Sequence, residues 1–282
     1  MKFYIIKVAI VIVLVAAFLS GCRENESEEG AEADAQYDEI KIALIDTGIE
    51  KTAINGENVL AGWNYCNNSE DTQDTIGHGT SLAGMILGSD KAKIIGGATE
   101  VYIVPLVCQM QKEDGDIEKV SPQELAQIIR DAVMIYECNI INISAGVKKD
   151  VSELKEAVEF ASENGVLVIS SAGNEGNSDI YYPGGYESVL CVGSANKDMT
   201  GRADFSQDNE TVDLLAPGEE IIVTTMKGNQ MKVEGTSYST AYITAVVAKL
   251  WKDNPQKNSE QIVDELMKHT VLVGNDCLLS LE

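Results

Sequence analysis

Basic residues are scarce in this chain: of its 282 residues, 21 are Lys or Arg and 45 are Asp or Glu, which gives a net charge of −24. Because the phosphate backbone of nucleic acids rewards neutralisation by Lys and Arg, we expect no nucleic-acid partner. Histidine is scarcer still, with two residues, and the sequence has no Cys-X-X-Cys pair or Cys/His cluster that would indicate zinc. Hydrophobic residues make up 44% of the chain, enough for a buried core.

The apolar run of residues 8–19 is too short for a transmembrane helix, since twelve residues cannot comfortably cross about 30 Å of hydrocarbon. Lys2 and Lys7 precede it, which is typical of an export signal. Residues 19–22 then read Leu-Ser-Gly-Cys, which resembles the bacterial lipoprotein box, whose cysteine is lipidated and becomes the new N-terminus. We therefore predict a lipoprotein-type signal peptide over 1–21. Acyl chains on Cys22 would anchor the protein to the extracytoplasmic face of a bacterial cell membrane. An ordinary cleaved signal and an uncleaved anchor stay open.

Residues 22–39 are strongly acidic, with one base and eight acids. Because like charges repel one another, we predict an extended tether that holds the rest of the chain away from the bilayer. Plain disorder is compatible with the same role. Lys2 and Lys7 contribute +2 and the tether −7, so a charge of −19 falls on residues 40–282, which we interpret as one domain.

Short apolar runs alternate with helical patterns along this domain. The runs predict strands buried on both faces, at 40–45, 101–107, 140–143, 166–169 and 189–192. Four helices are also predicted. The first begins at a capping box at 121–124, and the second begins at Ser152 and ends at 164–165. The third has an apolar face over 243–251 and ends at Asn254-Pro255, and a shorter one covers roughly 261–268. This order predicts an α/β fold in three layers, with a mostly parallel, doubly wound sheet and functional groups at the carboxyl ends of its strands.

Four polar residues follow strands or open helices in this pattern. Asp46 begins Asp-Thr-Gly after the first strand, and His78 lies in Gly-His-Gly-Thr at an apparent helix start. Asn174 follows the fourth strand, and Ser237 precedes the last long helical stripe. Taken alone, Asn174 is explained as a turn residue and Ser237 as a helix N-cap. The other histidine, His269, is predicted to lie in a polar C-terminal helix and has no motif around it. A lone Asp-Thr-Gly in an α/β pattern also argues against an aspartic protease, which needs two copies.

Five motifs in this order resemble the subtilisin-type serine peptidases, the subtilase family. They are IALIDTGI (42–49), GHGTSLAGMI (77–86), INISAG (141–146), SSAGNEG (170–176) and GTSYSTAYITA (235–245). The resemblance covers roughly residues 40–272 and implies a subtilisin-like catalytic domain. It implies Ser237 as the nucleophile, His78 as the base that takes its proton and later protonates the leaving amine, and Asp46 as the group that orients the imidazole. It also implies Asn174 as an oxyanion donor.

The same resemblance implies a substrate groove. Ser144-Ala145-Gly146 matches the edge segment that pairs with an extended peptide by strand addition. Ser171-Ala172-Gly173 matches the other wall of the primary specificity pocket. Tyr181 falls where the family often has glycine at the pocket floor. We therefore predict a shallow pocket that favours small side chains, or a Tyr181 side chain that swings out.

Two positions near the motifs depart from the family pattern. Ala241 and Tyr242 stand where the family usually has Pro-His, which we interpret as repacking, with altered placement of the nucleophile as the alternative. Ser81 stands where the family often has His, and we expect this change on the pocket side to matter little.

The N-terminal side also departs from the family. Only residues 23–39 separate the predicted signal from the body, so we expect no folding prodomain. The N-terminal extension that contributes to the family's main calcium site is missing, and Lys91 and Lys93 in the neighbouring loop oppose a dication. We therefore expect no metal or cofactor, with calcium binding left open.

Five cysteines follow Cys22, an odd number that cannot all pair within the chain. Cys108, Cys138 and Cys191 lie in or beside apolar runs and are predicted to be buried. A disulfide stays open, and the sequence does not name its partners.

These observations predict a monomeric, membrane-anchored serine endopeptidase outside the cytoplasm, acting on a peptide or protein. Maturation of an exported peptide, such as removal of a lantibiotic leader, is a narrower role suggested by analogy of fold. Two other functions stay open: a non-catalytic subtilase-fold binding protein that keeps the groove, and an esterase for small substrates.

Overall fold

The computed structural model describes residues 39–280. The predicted signal peptide, Cys22 and nearly all of the predicted tether lie outside these residues. The strands of the described part are β1 Lys41–Asp46, β2 Trp63–Asn64, β3 Tyr102–Val107, β4 Gln109–Gln111, β5 Ile117–Lys119, β6 Ile140–Ile143, β7 Leu167–Ser171, β8 Val189–Ala195, β9 Leu214–Pro217, β10 Ile221–Thr224, β11 Gln230–Val233, β12 Thr270–Val273 and β13 Asp276–Leu279.

Nine of these strands form one sheet in the order β12-β13-β9-β8-β7-β6-β1-β3-β2. Every neighbouring pair from β2 to β13 is parallel, and β12 pairs antiparallel with β13. The sheet extends in opposite directions on the two sides of β1, so the carboxyl end of β1 lies at a topological switch point. Asp46 is the last residue of β1 and lies beside Val107 of β3.

Helices cover both faces of this sheet. They are α1 His78–Leu87, α2 Pro122–Met134, α3 Ser152–Glu163, α4 Thr236–Asp253 and α5 Ser259–Met267. Alternate residues of β1 face opposite layers: Ile42 and Leu44 pack in the apolar cluster of α1, α4 and α5, whereas Ala43 and Ile45 pack in that of α2 and α3. The three-layer α/β prediction is therefore confirmed.

The four predicted helices are present in the structure, and one prediction about a residue near a helix end is corrected. In α2 the Ser121 hydroxyl accepts from the Glu124 backbone N–H, and the Glu124 carboxylate accepts from the Ser121 N–H, which completes the capping box. The helix α4 is longer than its apolar stripe and includes Ser237 in its first turn. The prediction that His269 lies in a helix is wrong, because α5 ends at Met267 and His269 lies in the turn that follows.

The five cysteines of residues 39–280 are free thiols, and Cys108, Cys138 and Cys191 are buried as predicted. Burial raises the pKa of Cys138 and of Cys191 to about 12, so neither is a thiolate nucleophile at neutral pH. Across the described part of the chain, no helix combines the length and the apolar character needed to span a bilayer.

Candidate active site

Asp46 and His78 meet at the carboxyl edge of the sheet. Asp46 is nearly buried at the end of β1, and one of its carboxylate oxygens lies 2.8 Å from the Nδ1 atom of His78. The same oxygen accepts a hydrogen bond from the backbone N–H of Thr47 at 2.8 Å, which fixes the carboxylate. With Nδ1–H donating to Asp46, the Nε2 atom of His78 keeps a lone pair for a proton.

Glycines allow the close approach of α1 to β1 that this contact requires. A Cβ atom on Gly79 would overlap the carbonyl oxygen of Gly48, so a larger residue would push the helix away from the strand. Gly77, directly before the helix, has a φ of 104°, a conformation that L-residues with side chains rarely adopt. The two glycines around His78 are thus explained by packing and backbone geometry.

Opposing effects set the basicity of His78. Burial by itself lowers the pKa of the imidazole, but the charge of Asp46, the hydrogen bond to Asp46 and the charge of Asp74 together outweigh it and raise the pKa above its ordinary value. His78 is therefore a stronger base than an isolated imidazole, which suits a group that must accept a proton from a hydroxyl.

Ser237 lies in the first turn of α4, facing the same edge. The ring of its neighbour Tyr238 lies 5.7 Å from the imidazole of His78, centre to centre, which brings the start of α4 against α1. At a helix N-terminus the backbone N–H groups have no intrahelical acceptor and carry a partial positive charge. The Ser237 hydroxyl and N–H therefore lie where a developing oxyanion would be stabilised.

Asn174 is held with its amide in one orientation. Its side-chain oxygen accepts hydrogen bonds from the Thr236 backbone N–H at 2.8 Å and from the Thr236 hydroxyl at 2.9 Å. Because the oxygen is engaged by Thr236, the NH₂ group remains to donate into the cavity that Asn174 lines together with Ser237. Thr236 was not predicted to orient Asn174, although it directly precedes Ser237 in the chain.

A cavity of about 250 Å³ adjoins Ser237 and Asn174. Of the seven residues predicted to bind substrate, the structure places five in its walls: Ser144, Gly146, Ser171, Gly173 and Tyr181. The other two are turned away, since Ala145 packs against the apolar core and Ala172 is buried beneath the wall.

Asp74 is a second buried carboxylate that the sequence analysis did not select. One of its oxygens accepts from the Thr47 hydroxyl and from the N–H groups of Ile76 and Gly77, at 2.7–2.9 Å. The other accepts from the N–H and the hydroxyl of Thr80 at 2.9 and 2.6 Å. Asp74 thus ties the residue after Asp46 to the helix that carries His78. Its position four residues before His78, near a helix N-terminus that favours carboxylates, was an available signal.

Two departures from the family pattern lie away from this cavity. Ser81 is buried in α1 and donates to the carbonyls of Gly77 and Thr224, so the prediction that it lies on the pocket side is wrong. Ala241 is fully buried and Tyr242 packs against the core, which agrees with the interpretation of repacking.

The loop with Lys91 and Lys93 does not fit calcium. Ca²⁺ takes six to eight oxygen ligands. Here the backbone N–H of each of Ser89 and Ile94 donates to the carbonyl oxygen of the other. The Asp90 carboxylate is exposed beside the Asn55 amide. Within residues 39–280 no three His, Cys, Asp or Glu side chains are grouped to hold a metal ion.

The arrangement can cleave an amide bond. In the roles that the resemblance implies, the Nε2 atom of His78 would take the proton of the Ser237 hydroxyl as its oxygen attacks a carbonyl carbon, while Asp46 would stabilise the imidazolium. The Asn174 amide and the Ser237 N–H would stabilise the oxyanion, and His78 would then protonate the leaving amine. A histidine paired with an aspartate, together with a serine in the first turn of a nearby helix, is typical of a serine-type endopeptidase.

Comparison with known proteins gives the family. The model of the Subtilase family matches residues 37–279, and the chain therefore belongs to the subtilase family. The major intracellular serine protease of Bacillus subtilis (strain 168) is 34% identical over 219 residues, which cover 74% of this chain and 67% of that protein. The intracellular serine protease of Paenibacillus polymyxa is 31% identical over 253 residues, covering 84% and 75%. The solved structure of a lanthipeptide protease superposes with a TM-score of 0.73 at 23% identity, over 87% of this chain and 85% of that one.

Proposed function

We propose that this serine endopeptidase is attached by acyl chains on Cys22 to the extracytoplasmic face of a bacterial cell membrane, where it matures an exported peptide. The observation that carries the anchor is the sequence of residues 1–22, in which two lysines, a short apolar run and Leu-Ser-Gly-Cys follow one another. Because a single acyl chain binds a bilayer only marginally, stable anchoring requires more than one chain.

The maturation role rests on the form of the site. The cavity beside Ser237 is narrowed by Tyr181, which suits selective cleavage better than degradation of many sequences. The likeness to a lanthipeptide protease concerns the fold alone at 23% identity. We further propose that the enzyme needs no metal ion. We also propose that it acts as a monomer, and light scattering of the purified chain would check its oligomeric state.

Metabolic labelling with an alkyne fatty acid tests the anchor. We expect label on the wild-type protein in the membrane fraction, and neither label nor membrane retention in Cys22→Ala. Cys66→Ala is the matched control, because Cys66 is a half-buried free thiol of the body. Two of the similar proteins are named intracellular proteases, and an unlabelled protein in the cytosolic fraction is the result that would overturn the anchor.

Mapping of peptide termini on living cells tests the role. We expect a small set of exported peptides whose new termini appear with the wild type and are lost with Ser237→Ala. Termini spread over many unrelated surface proteins would instead indicate degradation. A fluorophosphonate probe that labels the wild type but not Ser237→Ala would verify that the wild-type enzyme in this experiment is active.

A further inference from the structure

The geometry points to a latched specificity pocket: we propose that Tyr181, held across the cavity by an ionic cluster of Lys148, Glu175 and Asp179, restricts the residue before the scissile bond to a small side chain. We further propose that salt relaxes this restriction. The proposal rests on the endopeptidase activity of the site and not on the membrane anchor.

The ring of Tyr181 lines the cavity and lies close to both of its walls. A Cβ atom on Gly173 would lie 2.9 Å from the Cδ2 atom of the ring, and one on Gly146 would lie 3.5 Å from the Cβ atom of Tyr181. Both walls therefore already touch this side chain. A large aromatic or branched side chain of a substrate that enters the cavity would therefore meet the Tyr181 ring.

The backbone around Tyr181 is fixed. Val147 and Tyr182 exchange two backbone hydrogen bonds, at 2.9 and 2.8 Å, which join the Gly146 wall to the segment of Tyr181. The buried Gln207 accepts from the Glu175 N–H at 2.9 Å and donates to the carbonyl of Asp179 at 3.0 Å. Opening of the pocket is thus a movement of the Tyr181 side chain, not of the loop.

The ionic cluster holds that side chain. The Nζ atom of Lys148 lies 2.7 Å from the Glu175 carboxylate, 2.8 Å from the Asp179 carboxylate and 5.4 Å from the centre of the Tyr181 ring. Lys148 follows one wall and the two carboxylates follow the other, so the cluster joins both walls over the ring.

This latch is of a kind that salt weakens. Each of the three charged side chains is about half exposed. Exposed ion pairs are weak individually and are screened within about a Debye length, which falls from roughly 10 Å at 0.1 M salt to 3 Å at 1 M. We therefore expect large residues to be admitted more readily as the ionic strength rises.

Digestion of a peptide library by the full chain, with the residue before each cut read by mass spectrometry, tests the proposal. At low salt we expect cleavage after Ala, Ser or Gly to exceed cleavage after Phe or Leu by about tenfold or more, within the range that pocket shape supplies. In Tyr181→Gly the preference should move toward Phe and Leu by a similar factor. Lys148→Met should relax the preference at low salt and remove its dependence on salt.

The control variant is Lys155→Met, because Lys155 is an exposed lysine on α3 that pairs with Glu159 at 3.9 Å. It should keep the wild-type preference and its salt dependence. Equal cleavage after Ala and Phe by the wild type would overturn the proposal, as would a wild-type salt response retained in Lys148→Met.

If Tyr181→Gly fails to fold, judged by its melting curve, Tyr181→Ala takes its place. A wild type that reacts with the fluorophosphonate probe but cuts no library peptide also overturns the proposal. A wild type that does not react contradicts the endopeptidase activity itself.

Discussion

Replacement of Asp74 by Asn probes the carboxylate that joins Asp46 to His78. The carboxylate accepts five hydrogen bonds, three on one oxygen and two from Thr80 on the other. An amide of the same shape keeps one oxygen and turns an NH₂ group toward Thr80. The Thr80 hydroxyl can rotate to accept from that group, but the Thr80 backbone N–H, which is buried, is left without an acceptor.

The cost follows from this inventory. An unpaired buried donor costs about 1–3 kcal/mol, and bonds to a charged acceptor are worth more than bonds to a neutral one. We therefore expect Asp74→Asn to lower the free energy of unfolding by about 2–4 kcal/mol. Urea unfolding measures this change. Asp71→Asn in the same loop is the control, because Asp71 is exposed and its carboxylate accepts one hydrogen bond, from the Gln73 N–H.

The second readout is the pH dependence of kcat/KM. His78 must be neutral to accept the Ser237 proton, so activity falls as pH drops through its pKa. Because the charge of Asp74 contributes to the raised pKa of His78, Asp74→Asn should move this acid limb to lower pH. A variant with a lower rate but an unmoved limb would show that Asp74 acts only through packing. An unfolding free energy within about 0.5 kcal/mol of the wild type, as for ordinary surface substitutions, would refute the hydrogen-bond argument.

Three further outcomes are expected. Asn174→Ala should lower kcat by about 10²–10³-fold with little change in KM, as removal of one oxyanion donor does in the subtilisin family, and steady-state kinetics would show it. Thr236→Val should lower kcat by about tenfold because the Asn174 amide loses a hydrogen bond that orients it, whereas Thr236→Ser should keep most of the activity; equal losses in both would contradict this role. Calcium and a chelator should leave the melting temperature in a thermal scan unchanged, and a rise with calcium would reveal a site that the loop of Lys91 and Lys93 does not display.

The positions of the candidate catalytic residues at strand and helix ends could be predicted from the sequence because each lies in a local pattern. Asp46 ends a buried strand, His78 begins α1 and Ser237 lies in the first turn of α4. Thr236 and Asp74 act through partners distant in the chain: Thr236 bonds Asn174 across 62 residues, and Asp74 bonds Thr47 across 27. The position of Asp74 near a helix start suggests a carboxylate that faces the helix N-terminus, but neither it nor the position of Thr236 at a helix start identifies the distant partner.

Some strands were not predicted because they lack a long apolar run that is buried on both faces. In β9 the apolar run is only three residues before Pro217, and β12 and β13 form a hairpin at the end of the sheet. Val271 and Leu272 of β12 are largely exposed. A strand with exposed apolar residues lacks the burial pattern that made β1 or β6 recognisable. Strands such as β1 and β6 were predictable because they are apolar runs covered on both faces, whereas β9 is buried but short and β12 is exposed.

The site separates two electrostatic tasks on either side of Ser237. The N-termini of α1 and α4 both point at the catalytic edge, and a helix N-terminus disfavours a cation. Without compensation, the start of α1 and burial would make His78 a poor base, and Asp46 and Asp74 supply the compensating negative charge. On the other side, the start of α4 and the Asn174 amide are left uncompensated and favour an oxyanion. Loss of charge beside His78 should therefore move the pH limb, whereas loss of a donor beside Ser237 should lower kcat at every pH.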